Sequence, residues 1–155
     1  LVLLFAVGRD VEDYCSAQFA PMVAGKDWAA VHTLVTGELR SLHATHRIDS
    51  AVLERAGTRP GESGRSALTI GAGWGIILGA LSALGIPVTI PTPAKWTGIM
   101  LADMPGEDKD RAIALCQQRV PALDLCTGPT GRKRKPHTGL ADAACLALYG
   151  LREGA

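Results

Sequence analysis

Ile48-Asp49-Ser50-Ala51-Val52-Leu53-Glu54 is the stretch on which the fold turns. A short apolar run that closes on a single carboxylate reads as a buried strand delivering an acid to the edge of a sheet. That edge, beyond the C-terminal ends of strands, is where α/β proteins usually build sites. Taken alone, Glu54 is equally well explained as a charge emerging into solvent where the strand stops.

Elements on either side of this strand are readable from punctuation. Upstream, Leu1 to Val7 reads as a buried strand. Gly8-Arg9-Asp10 supplies turn chemistry, and Val11 to Val23 returns as one or two strands. The apolar start lacks a basic leader and a cleavage site, so no signal peptide is read. Asp27 is placed to cap a helix on which Trp28, Val31, Val35, Leu39 and Leu42 recur at helical spacing.

Downstream, Thr58 to Arg65 is a loop rich in Gly, Pro and Ser. Ser66 to Ala94 then contains no charged residue. Its length raises a membrane span, and Gly71, Gly75 and Gly79 form small-xxx-small steps. Gly85-Ile86-Pro87 breaks the run before Val88-Thr89-Ile90, so helix, turn and strand are expected and a membrane partner is not. Pro93 starts another helix carrying Lys95 and Trp96, and Asp108 to Gln118 forms the next. Leu125 to Lys135 is a loop, and Gly139 to Leu151 is a final Ala/Leu-rich helix. The expectation is a single domain over residues 1–155 with a mixed α/β sheet flanked by helices.

Composition narrows function little. Hydrophobic residues make up 47% and charged residues 20%, a globular balance. A formal net charge of +1 leaves any nucleic-acid partner to be argued from local clusters. The four cysteines, Cys15, Cys116, Cys126 and Cys145, form no CxxC pair and no zinc spacing, and read as buried thiols in a reducing compartment. Gly71-Ala72-Gly73-Trp74-Gly75 fails the dinucleotide pattern in spacing and context, and no Walker lysine is present.

The second acid is Asp142, read as lying in the first turn of the last helix, where the helix dipole alone can justify it. What changes its reading is the run Lys135-Pro136-His137-Thr138-Gly139-Leu140-Ala141-Asp142. His137 would face away from Asp142 inside one helix, but a start near Gly139 leaves it in the entering loop, able to fold back. Thr138 shares the face of Asp142 only if the helix starts earlier. Carboxylates meeting from a strand end and a helix start suit phosphodiester hydrolysis with two Mg²⁺ or Mn²⁺ ions about 4 Å apart. A nearby histidine can orient water, move a proton or ligate an ion. The basic run Arg132-Lys133-Arg134-Lys135 leads into the same helix, and Arg59 and Arg65 follow Glu54, so both are candidates for phosphate contact as well as solvated loop charges.

The order of these features resembles the RuvC-like Holliday junction resolvases, particularly compact phage, bacterial and chloroplast members. The resemblance is carried by Ala51-Val52-Leu53-Glu54-Arg55-Ala56-Gly57, Pro60-Gly61-Glu62-Ser63-Gly64, Leu84-Gly85-Ile86-Pro87-Val88, Pro93-Ala94-Lys95-Trp96, Asp108-Lys109-Asp110 and His137 to Ala143. It implies an RNase H-like fold, a homodimer, and Mg²⁺-dependent paired nicking of four-way DNA junctions in the cytoplasm or nucleoid, or in an organelle. Within it, Glu54 and Asp142 match catalytic metal-binding acids, and His137, with Thr138 as the alternative register, matches the residue preceding the last acid. Lys95 joins Arg59, Arg65 and Arg132 to Lys135 as an expected DNA contact. The family's first-strand Asp has no counterpart in Leu1 to Val7, which looks like the following strand, and Asp10 is a poor substitute; either the acid lies upstream of Leu1, which is the expectation, or the protein has lost it, which would put metal binding and cutting in doubt. A different class of function, a non-catalytic RNase H-fold module binding branched DNA, would keep the basic loop and the dimer surface without turnover.

Overall fold

The computed structural model describes residues 2–6, 14–18, 27–57, 60–126 and 135–154, the first two segments by their backbone. The chain runs β1 (Val2–Ala6), β2 (Tyr14–Gln18), α1 (Trp28–His46), β3 (Ala51–Val52), α2 (Gly64–Ala83), β4 (Val88–Thr89), α3 (Pro93–Met100), α4 (Asp108–Arg119) and α5 (Thr138–Glu153).

β3 organises the described core through its alternation. Successive side chains of a strand point to opposite faces. Ala51 and Leu53 bury against α1 and α2, with Val35, Leu39, Ile77 and Leu81. Val52 buries on the other face, with Trp96 of α3, Cys116 of α4 and the apolar side of α5. Helices therefore cover the strand on both sides, the condition under which a strand reads as continuously apolar. Glu54, two residues after Val52, falls on the Val52 face by the same period.

Local chemistry sets the helix ends. Asp27 accepts from the Ala30 amide at 3.0 Å, Ser63 from Ser66 at 3.2 Å and Thr92 from Lys95 at 3.3 Å, each satisfying a donor that the first turn leaves orphaned. Pro93 stands in the first turn of α3, where its missing amide hydrogen is no loss. The chain leaves α2 through Gly85 at φ +70°, a left-handed turn that suits glycine, and returns parallel to β3 as β4.

The sheet is smaller than expected. β1 and β2 pair antiparallel, β3 and β4 pair parallel, and these form two separate two-stranded sheets. β1 runs beside β3, but no ladder joins them among the described residues. α5 unites the pieces by packing on β1 and β3 at once, with α3 and α4 on its flanks. That enclosure accounts for its composition: Leu140, Ala141, Ala143, Ala144, Cys145, Leu146, Ala147, Tyr149 and Gly150 are all buried, so the helix is apolar nearly all round.

α2 meets the length and composition of a membrane span, and it packs on α1 through Ile77, Ala80 and Leu81 while Leu68 and Ile70 stay exposed. Cys116 and Cys145 are buried thiols, their sulfurs 3.7 Å apart between α4 and α5. Their mutual hydrogen bond and burial push the Cys145 thiol up, so it stays neutral.

Candidate active site

Glu54 is gripped from three directions. Its strand is held by the ladder Ala51 N–H to Pro87 O at 2.9 Å, Leu53 to Thr89 at 3.0 Å and Arg55 to Pro91 at 2.9 Å. These odd positions face β4, so the Glu54 carbonyl points to the opposite edge. There Trp74 of α2 donates its indole N–H to that carbonyl at 2.9 Å. Trp96 of α3 donates its own indole N–H to Glu54 Oε2 at 2.5 Å. A buried indole needs an acceptor for its one donor, and both indoles here take an oxygen of the same residue.

Asp142 comes to this acid from α5. Its carboxyl is half-buried, and its proton affinity is raised, first by burial and then by the negative charge of Glu54. The two acids are therefore close enough to feel each other across the strand–helix boundary. The Cys116 thiol meets the Ala141 carbonyl at 3.4 Å and the Cys145 thiol meets the Ala112 carbonyl at 3.6 Å, so two buried thiols pack beside the Asp142 turn of α5. Asp142 and Glu54 act on each other as like charges, which a cation would offset. Their hard oxygens suit a divalent cation such as Mg²⁺ or Mn²⁺, and to that extent these residues fit the expected metal. Among the described residues, no group of three or more His, Cys, Asp or Glu is placed to share one ion.

The position of Asp142 within α5 corrects the sequence reading. The helix begins at Thr138, with His137 as its N-cap, and its first turn contains no acid. Asp142 is therefore in the second turn, where the helix dipole no longer accounts for it, since that effect falls off within the first turn. Thr138 does lie four residues before Asp142 inside the helix and so shares its face. His137 is exposed and makes no side-chain capping bond; its amide donates to the Leu125 carbonyl at 2.8 Å, which fixes the entry of the chain into α5.

Of the expected DNA contacts, Arg65, Lys95 and Lys135 are exposed, at the start of α2, on α3 and just before α5. Arg59, Arg132, Lys133 and Arg134 lie outside the described residues, as does Asp10. The indoles of Trp74 and Trp96 were missed as parts of the site. The available signal was chemical: each indole carries one N–H donor that burial obliges to find an acceptor.

Among solved structures, the chain is similar to Thermus thermophilus RuvC, with 20% identity and a TM-score of 0.57 over 91% of this chain and 78% of that one. It is likewise similar to T. thermophilus RuvC in complex with Holliday junction substrate, with 19% identity, a TM-score of 0.59 and the same coverage. The chain has the RuvC fold. No family model matches it, and no curated protein does. The likeness covers nearly the whole chain and is one of fold.

Proposed function

We propose that this protein is a structure-selective DNA endonuclease that resolves four-way junctions by divalent-metal-dependent phosphodiester hydrolysis. One observation carries the reading: Glu54, held at a strand end by two indoles, and Asp142, half-buried on α5, are near enough for the charge of one to raise the proton affinity of the other. Two carboxylates held near each other repel, and a divalent cation shared between them relieves that repulsion. The fold supports the same reading, because a solved structure with this architecture is a RuvC bound to Holliday junction substrate.

In the reaction, Glu54 and Asp142 would hold the metal, with water and substrate phosphate oxygens completing its ligand set. A divalent cation held there would supply Lewis-acid activation of water and charge stabilisation of the leaving oxygen. Trp74 and Trp96 keep Glu54 in place. His137, exposed at the mouth of α5, is assigned to orient water or carry a proton, and Thr138 offers a hydroxyl on the face of Asp142. Lys95, Lys135, Arg65, Arg59 and Arg132 to Arg134 are assigned to the DNA backbone. Two copies related by a two-fold axis would cut opposing strands of a junction. α2 is the assigned contact, since it exposes Leu68 (71%) and Ile70 (40%), and a Cβ added at Gly71, Gly75 or Gly79 meets nothing within 4 Å.

The test is incubation with labelled four-way junction and linear duplex in Mg²⁺ or EDTA. Symmetric, metal-dependent nicks in the junction alone support the proposal. Junction binding without nicks at any Mg²⁺ or Mn²⁺ concentration replaces it with the non-catalytic module. Lys135→Ala and Lys95→Ala should each weaken binding evenly across junction sequences and lower the slope of log affinity against log salt by about 1, the signature of a lost phosphate contact. Gel-shift titrations at several salt concentrations measure that slope.

A further inference from the structure

Trp96 has a role beyond the core it helps fill. It is 3% exposed, in the cluster with Val52, Ala141 and Cys145, and filling that space needs only an apolar ring. Its N–H nevertheless ends on Glu54 Oε2, while Trp74 takes the backbone carbonyl of the same glutamate. The two donors come from different helices, α3 and α2, and they fix one residue at its main chain and at its side chain.

We propose that Trp96 is a positioning residue for metal binding: its indole N–H orients the Glu54 carboxylate so that the remaining lone pairs face the ion shared with Asp142. This rests on the nuclease reading above. The choice of side chain fits the task. An indole is a donor only and carries no charge. A lysine or arginine in its place would also hold the carboxylate, but would compete with a cation for it. Residues that orient a metal ligand from behind typically change metal affinity by about 10–100-fold when replaced.

The test uses the whole chain without DNA. Mn²⁺ binding is followed by the electron-spin resonance of the free ion, for wild type, Trp96→Phe and Trp74→Phe. The expected result is Mn²⁺ binding weaker by about tenfold or more in Trp96→Phe. A purely structural indole would lower the melting midpoint and leave the Mn²⁺ affinity unchanged, and that outcome overturns the proposal. A second measurement needs no altered residue. In ¹⁵N-labelled wild type, the Trp96 indole resonance should shift on Mg²⁺ addition while that of Trp28 stays put; an unmoved Trp96 signal in protein that binds Mg²⁺ also overturns it. Wild type that binds neither ion removes the nuclease reading and this inference together. Wild type that binds Mn²⁺ no better than Trp96→Phe removes this inference alone.

Discussion

Glu54→Gln is expected to reduce junction nicking by more than about 100-fold, exceeding what the loss of a residue behind a ligand costs. Junction binding should stay within about twofold of wild type, as the change removes no DNA-facing cation. Glutamine keeps the length of glutamate and an oxygen that still accepts from Trp96, so the strand end and both indole contacts survive. What disappears is the negative charge, and with it the attraction for a hard cation. The substitution also withdraws the charge that helps raise the proton affinity of Asp142. Asp142 should then move back toward the ordinary aspartate range, leaving burial as the remaining perturbation. Single-turnover nicking in saturating Mg²⁺, with gel shifts in EDTA, separates the two effects. Nicking at the wild-type rate would remove Glu54 from the chemistry and leave its two indole partners as core packing.

The parts of this site that were legible in the sequence are those that local periodicity encodes. The run ending at Glu54 reads as a strand from Ile48 because its apolar residues stop at a charge; the strand found is shorter, Ala51–Val52, and Ala51, Val52 and Leu53 alternate between two helical layers as that reading requires. Asp27 and Pro93 mark helix starts because capping is a matter of a few adjacent residues. Burial of Cys116 and Cys145 follows from their apolar surroundings in α4 and α5. The start of α5 was less readable. His137 caps it without a side-chain bond, so the usual Ser, Thr or Asp signal is absent and the boundary came out one residue late, at Gly139 rather than Thr138. That single residue, with the first-turn reading of Asp142, had invoked the helix dipole where proximity to Glu54 is the operative fact. The contacts of Glu54 with Trp74 and Trp96 span 20 and 42 residues of chain. No pattern along a sequence registers a meeting of that kind. The separation of β1 from β3 is similar, because the pairing of strands joins segments far apart in the chain.

Asp142→Asn should also abolish nicking, by more than about 100-fold as for Glu54, yet raise the thermal stability of the metal-free protein by a few degrees. Most changes near a core do the opposite. The reason is the sign of the perturbation at Asp142. Burial and the facing Glu54 both penalise its charged form, so its pKa in the folded state lies above its unfolded value of about 3.9. A group bound more tightly to its proton when folded adds stability below the unfolded value and loses it as pH rises through the folded value. At neutral pH the wild type therefore carries the whole penalty, moderated because the carboxyl is only half-buried. Asparagine carries none of it. Thermal melts from pH 4 to pH 8 in EDTA should show the wild-type midpoint falling, relative to that of Asp142→Asn, across the lower part of this range and then holding a constant gap. Adding Mg²⁺ at pH 7.5 should close the gap from the wild-type side, because an ion bound only by the folded state stabilises it. The variant should respond little. Parallel melting curves at all pH values, or a variant less stable than wild type at neutral pH, would show that the Asp142 carboxylate is not held against Glu54, and a shared ion between them would then have no basis.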